Sequence, residues 1–126
     1  MNIIPENKSD IEAGEKLLLA CDSDVVDNLG EIMEWTQDIN WPVAIHVYQR
    51  LSSLGAELVD PIREILEGSD SSWKYFLISN LISNLDVEVY GLLTPDLQKL
   101  VVTPTEADIA EEVNLVAKEA LIRTKK

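Results

Sequence analysis

Apolar residues along this chain recur at intervals of three and four, the spacing of one helix face. They do not alternate in the strand fashion between hairpin turns. Ser9 and Glu12 stand at capping-box spacing before a first helix whose apolar side carries Ile11, Gly14, Leu17, Leu18 and Cys21. On that face Cys21 is expected to be a small buried thiol. A second helix is expected from about 24 to 37, with Val25, Leu29, Ile32 and Met33 turned inward. Asn40 is the expected N-cap of a third, since Pro42 is tolerated in a first turn. Its apolar side is Ala44, Val47, Tyr48, Leu51 and Leu54, and Gly55 is a natural stop.

A fourth helix spans about 56 to 67, either starting at Asp60-Pro61 or bent there. The fifth covers about 72 to 85, with Tyr75, Ile78, Ile82 and Leu85 on one face. Gly91 and Thr94-Pro95 then predict a break and two short helices rather than one. Thr103 and Glu106 are again at capping-box spacing, before a last helix bearing Ile109, Val113, Val116, Ala117, Ala120 and Leu121. The basic end at 123–126 is expected to fray.

Two of these stretches are copies. Val25 to Glu34 aligns with Leu58 to Glu67 at an offset of 33, with five of ten positions identical and three aliphatic exchanges. The offset also carries Gly14 to Val47, Leu18 to Leu51 and Cys21 to Leu54, and Asp38 and Trp41 match Asp70 and Trp73 one residue out of register. A helix pair repeated at this period is the mark of an α-solenoid. The expected fold is therefore all-α, a short α-α superhelix of about three helix pairs in a single domain over 1–126. Its repeats fall at about 9–38, 39–69 and 70–101, with a capping helix at about 104–122.

Trp35-Thr36-Gln37-Asp38-Ile39-Asn40-Trp41-Pro42-Val43-Ala44, then Trp73-Lys74-Tyr75 and Pro104-Thr105-Glu106, resemble the domain-of-unknown-function 5071 family. The resemblance runs from Ile4-Pro5 to about Leu121. It implies a small, mostly bacterial, helical protein similar to HEAT-type repeats, and it implies no activity.

Charge narrows the choice of partner. Twenty-three acidic residues against 10 basic ones among 126 give a net charge of −13, with an isoelectric point near 4.2. No basic stripe exists to displace counterions from a nucleic-acid backbone, and an anionic membrane is equally disfavoured. The longest apolar run, Leu17 to Cys21, is far below a bilayer span of roughly 20 residues. The first residues show no basic-then-apolar secretory pattern, and the single cysteine suits a reducing compartment, so a cytoplasmic address is expected.

Catalytic signatures are missing from the sequence. His46 is the lone histidine, no phosphate-binding glycine loop or Gly-x-Ser-x-Gly occurs, and no cofactor or metal is expected. Asp108 with Glu111 and Glu112 reads as a solvated first half of a helix, favoured by the helix dipole. The segment holding Gln37, Asp38, Asn40 and Trp41 admits two readings. Its tryptophans can wedge between repeats, as Trp73 would one repeat later. Alternatively, Gln37, Asp38, Asn40, Trp41, Trp73, Lys74 and Tyr75 form a binding patch of stacking surfaces and a cation.

The strongest feature is an acidic ridge. Asp24, Asp27, Glu31, Glu34 and Asp38 share one helix face, and Glu57, Asp60, Glu64 and Glu67 repeat it one copy later, relieved mainly by Arg63. Either this is a solubilising surface or it docks a basic partner. The expected function is a non-catalytic protein-protein interaction module, as a monomer or weak dimer. A bacterial immunity or antitoxin-type inhibitor is the narrower alternative, and a carboxylate-based enzyme is the alternative of another class.

Overall fold

The structure, a computed structural model, describes residues 3–122, and the fraying expected over 123–126 lies outside them. Among these residues the chain forms nine α-helices and no strand, so the protein is all-α.

Helix α1 (Ile11–Leu19) is capped by Asp10 rather than Ser9. The two carboxylate oxygens of Asp10 accept the amides of Glu6 at 3.0 Å and Ala13 at 3.2 Å, two donors where a serine hydroxyl would serve one. Those two amides also hold the Asp10 carboxyl below its usual value. Because α1 ends at Leu19, Cys21 is not on its apolar face. It is the N-cap of α2 (Asp22–Asp27) and is exposed.

The single helix expected from 24 to 37 is three pieces: α2, α3 (Leu29–Met33) and a 3-10 turn over Glu34–Thr36. The break has a local cause. The Asn28 side chain donates to the Asp24 carbonyl at 2.9 Å, the acceptor its own amide would use in a continuous helix. That amide falls back on the Val25 carbonyl at 3.2 Å. Val25, Leu29, Ile32 and Met33 are nevertheless all buried, so the inward face survives the break.

Asn40 does not cap the third helix. Its amide donates to Asp38 Oδ1 at 2.8 Å in a local turn, and α4 (Ala44–Leu51) begins beyond Pro42. The Val43 amide at its start donates to the Lys8 carbonyl at 3.0 Å, which ties the N-terminal segment to α4. A 3-10 turn over Ala56–Leu58 leads into α5 (Val59–Leu66), where Pro61 sits in the first turn and its missing N–H leaves no bond unmade. Helix α6 (Ser71–Asn80) is capped by Asp70.

The break expected at Thr94-Pro95 is absent: α7 (Val87–Val102) is one helix with Pro95 inside it. A helical residue 95 would bond the Gly91 carbonyl, which proline cannot do. Thr94 Oγ1 donates to that carbonyl instead, at 2.9 Å. One residue further on, Arg63 from α5 reaches the Leu92 carbonyl at 3.3 Å and grips Asp96 with two bonds of 2.9 and 3.1 Å. The proline penalty is thus offset by side chains.

The last helix is also divided, into α8 (Glu106–Ala110) and α9 (Val113–Ile122), with Glu112 at φ 62° between them. Its capping box uses Thr105 and Asp108, two residues past Thr103 and Glu106. The division leaves Ile109 exposed, whereas Val113, Val116, Ala117 and Ala120 are buried as their spacing predicts.

Packing pairs α1 with α4, α5 with α6 and α7, and α9 with α6, α7 and α8. One core runs from Ile3 to Ala120. The α1–α4 crossing depends on Gly14, where an added Cβ would lie 2.9 Å from Cβ and Cγ of His46. Gly14→Ala should gain about 1 kcal/mol of helix propensity and lose about 1–3 kcal/mol to overpacking. The expected net result is a lower urea midpoint at unchanged slope; a raised midpoint would show that α1 can shift off α4.

Candidate functional site

The ridge acids do not share one continuous helix face, because the helix expected from 24 to 37 is broken at Asn28 and ends in the 3-10 turn over Glu34–Thr36, with Asp38 beyond it. Asp24, Asp27, Glu31, Glu34, Glu57, Asp60, Glu64 and Glu67 are exposed, and Asp38 is half-buried in its turn with Asn40. Glu57 also has a local task, since its carboxylate accepts the Gly55 amide at 2.6 Å. Arg63 does not chiefly serve the ridge. Its guanidinium is committed to Asp96, and that pairing raises its already high pKa, with a smaller push from Asp60 and Glu67.

The inter-helix patch offers no exposed cation, because Lys74 is buried. Trp41 packs edge-to-face on Trp35, with centroids 5.7 Å apart, and both are half-buried. Gln37 turns back to donate to the Glu34 carbonyl at 2.9 Å, and Asn40 is exposed. Tyr75 packs on Phe76 in the same T-shaped manner at 6.1 Å. Lys74 is not a surface cation. Its side chain is 3% exposed, and its ammonium lies 3.0 Å from an Asp108 carboxylate that is itself 2% exposed.

That buried pair also corrects the reading of Asp108 as a solvated acid beside Glu111 and Glu112, which are exposed. Ser71 Oγ donates to Asp108 Oδ1 at 2.7 Å, so α6 and α8 are joined by a buried Ser-Lys-Asp cluster. Burial pushes the Asp108 carboxyl up, but Ser71, Lys74 and the Thr105 amide outweigh it and hold the group below its usual value.

A second buried node escaped the sequence reading. Thr36 is fully enclosed. Its hydroxyl donates to the Met33 carbonyl at 2.6 Å and accepts the Trp73 indole N–H at 2.7 Å. Its carbonyl accepts the Tyr48 hydroxyl at 2.6 Å. Burial, helped by Asp38, raises the Tyr48 pKa above that of a free phenol. The only sequence signal was that a buried tryptophan or tyrosine needs a polar partner.

Ridge and patch meet at one place. A groove of about 450 Å³ runs between α3 and α5 and is closed by the start of α6. Met33, Pro61, Ile65 and Trp73 supply its apolar lining, Glu34, Glu64 and Asp70 its carboxylates, and no cationic side chain lines it. Asp70 spends one oxygen on the Trp73 amide, at 3.1 Å, which leaves Glu34 and Glu64 as the free acids of the site. Glu67 lines a smaller neighbouring concavity of about 220 Å³ that also holds Asp96, Lys99 and the Lys74–Asp108 pair, so the charge there is mixed.

Among the described residues no three His, Cys, Asp or Glu side chains are placed to hold a metal ion, and no helix is long and apolar enough to cross a membrane. Fold and groove together define an all-helical protein with an acid-rimmed, tryptophan-lined cleft. Its sequence matches the profile described as "Domain of unknown function (DUF5071)" over residues 3–121, and the chain belongs to that family. No curated protein matches it.

Proposed function

We propose that the protein is a non-catalytic interaction module, a short HEAT-like superhelix of the bacterial cytoplasm that docks a basic segment of another protein on its acidic face. The superhelix is supported by the packing of helices two steps apart in the repeat, α1 on α4, α5 on α7 and α6 on α9. The observation that carries the docking is the groove, where carboxylates from both copies of the repeat border one apolar cleft. Glu31 and Glu34, and Glu64 and Glu67, are also like charges at helical spacing, each pair opposing the helix by roughly 0.2–0.5 kcal/mol. Only Glu67 recovers part of that cost, through its attraction to Arg63; all four are exposed.

Changing Glu31, Glu34, Glu64 and Glu67 to Gln preserves size and helix propensity, so the variant should fold with equal or slightly greater stability. A partner recovered from native lysate should then associate about tenfold more slowly with it at low ionic strength, and the gap should close as salt screens the field. An unchanged association rate at low salt would reject the docking face.

A further inference from the structure

Resting on that docking reading, the geometry points to an arginine side chain of the partner protein as the occupant of the Trp73 groove. The occupant must bring apolar surface to Met33, Ile65 and Trp73 and positive charge to Glu34 and Glu64. A purely apolar group would strip water from both carboxylates with nothing in return, and an anion would meet three carboxylates and no cation. A long aliphatic stem with a cationic head satisfies both demands, which leaves lysine and arginine.

The tryptophan decides between them. Its indole N–H is already bound to the enclosed Thr36 hydroxyl, so the ring is fixed and offers the groove aromatic surface but no free donor. A guanidinium is planar, weakly hydrated and stacks on indole, while its fork can bond two separate carboxylates. An ammonium is a compact, strongly hydrated point charge that loses more on entering such a site. Access is open on the α3 side, since no residue beyond Gly30's own helix turn and chain neighbours comes within 4 Å of where its Cβ would stand. Free arginine is the poorer occupant, because its own α-carboxylate would face Glu34, Glu64 and Asp70. A side chain carried by a peptide has no such charge.

The test uses two blocked Gly-Ser peptides of equal length and equal positive charge, one bearing arginines and one lysines. They are titrated at low salt into the isotope-labelled full chain. The Trp73 indole N–H resonance, assigned by its loss in Trp73→Phe, reports the groove. The arginine peptide should bind about fivefold or more tightly than the lysine peptide and should move that resonance, whereas free arginine at the same concentration should not. Glu34→Gln with Glu64→Gln, both exposed and safe for folding, should erase the preference.

Equal affinities, or an arginine peptide that leaves the Trp73 resonance unmoved, would overturn the slot. If that equal binding still fell when Asp24, Asp27, Glu57 and Asp60 were neutralised, the acidic docking face would stand without it. If neither peptide bound, both the slot and the docking face would be overturned.

Discussion

Asp108→Asn should lower the unfolding free energy by about 3–5 kcal/mol, the cost of leaving a buried charge without its counterion. Asparagine is close to isosteric and its side-chain oxygen can still accept from Ser71, so neither a cavity nor a lost hydroxyl partner explains such a loss. What remains is the Lys74 ammonium, held in a side chain only 3% exposed and stripped of its paired carboxylate, together with the Thr105 amide, which loses its Oδ2 acceptor. Lys74→Met in the same background removes the charge while keeping an unbranched side chain. The double variant should therefore recover the part of the loss due to the unpaired charge, leaving about 1–3 kcal/mol for the Thr105 amide that asparagine leaves without an acceptor.

The pH dependence has a definite sign. The folded-state pKa of Asp108 is depressed, so its stabilising contribution is fully present above the unfolded carboxylate value of about 3.9. It is lost as pH falls through the still lower folded-state value. Urea titrations at a series of pH values should show a constant deficit for Asp108→Asn above that window, narrowing below it. A deficit that stayed constant into the acid range would mean that the ion pair is not its source.

Helix faces were legible along the chain because periodicity reports burial directly. Val25, Leu29, Ile32 and Met33 are inward even though the helix carrying them is broken. Boundaries failed where a side chain competed with the backbone. Asn28 takes a carbonyl and splits a helix, while Thr94 supplies a bond that Pro95 cannot and joins two. Both are i to i−3 or i−4 contacts of ordinary polar residues, with no distinctive pattern to mark them beforehand.

The exposure of the ridge acids was equally legible, but their sharing of one helix face was not, since Asn28 breaks the helix that would carry it. The groove was legible only in its ingredients. That Glu34, Glu64 and Trp73 border one cleft depends on how two repeats and the start of α6 are set against each other, which no local spacing encodes. Lys74 was misread for the same reason. Its counterion is 34 residues away, and only the docking of α8 on α6 shows that the charge is internal.

Thr36→Val should cost about 1–3 kcal/mol, because it replaces a fully enclosed hydroxyl with a methyl group and leaves the Trp73 indole N–H without its acceptor. The shapes nearly match, so packing should change little, and the Thr36 carbonyl remains free to accept from Tyr48. A double-mutant cycle with Trp73→Phe isolates the bond. Phenylalanine has no N–H to leave unpaired, so Thr36→Val should cost less in that background, with a coupling of about 1–2 kcal/mol. Additive losses would mean that the hydroxyl and the indole stabilise the fold separately.

The same cycle reaches the groove. With its anchor gone, the Trp73 ring should lose the fixed pose that favours a planar guanidinium, and any preference for the arginine peptide should shrink in Thr36→Val while Glu34 and Glu64 are untouched. Tyr48→Phe is the control: it removes another bond to Thr36 without freeing the ring, so it should lower stability and leave the preference intact. If both variants reduced the preference alike, general loosening of the segment, and not the indole anchor, would be responsible.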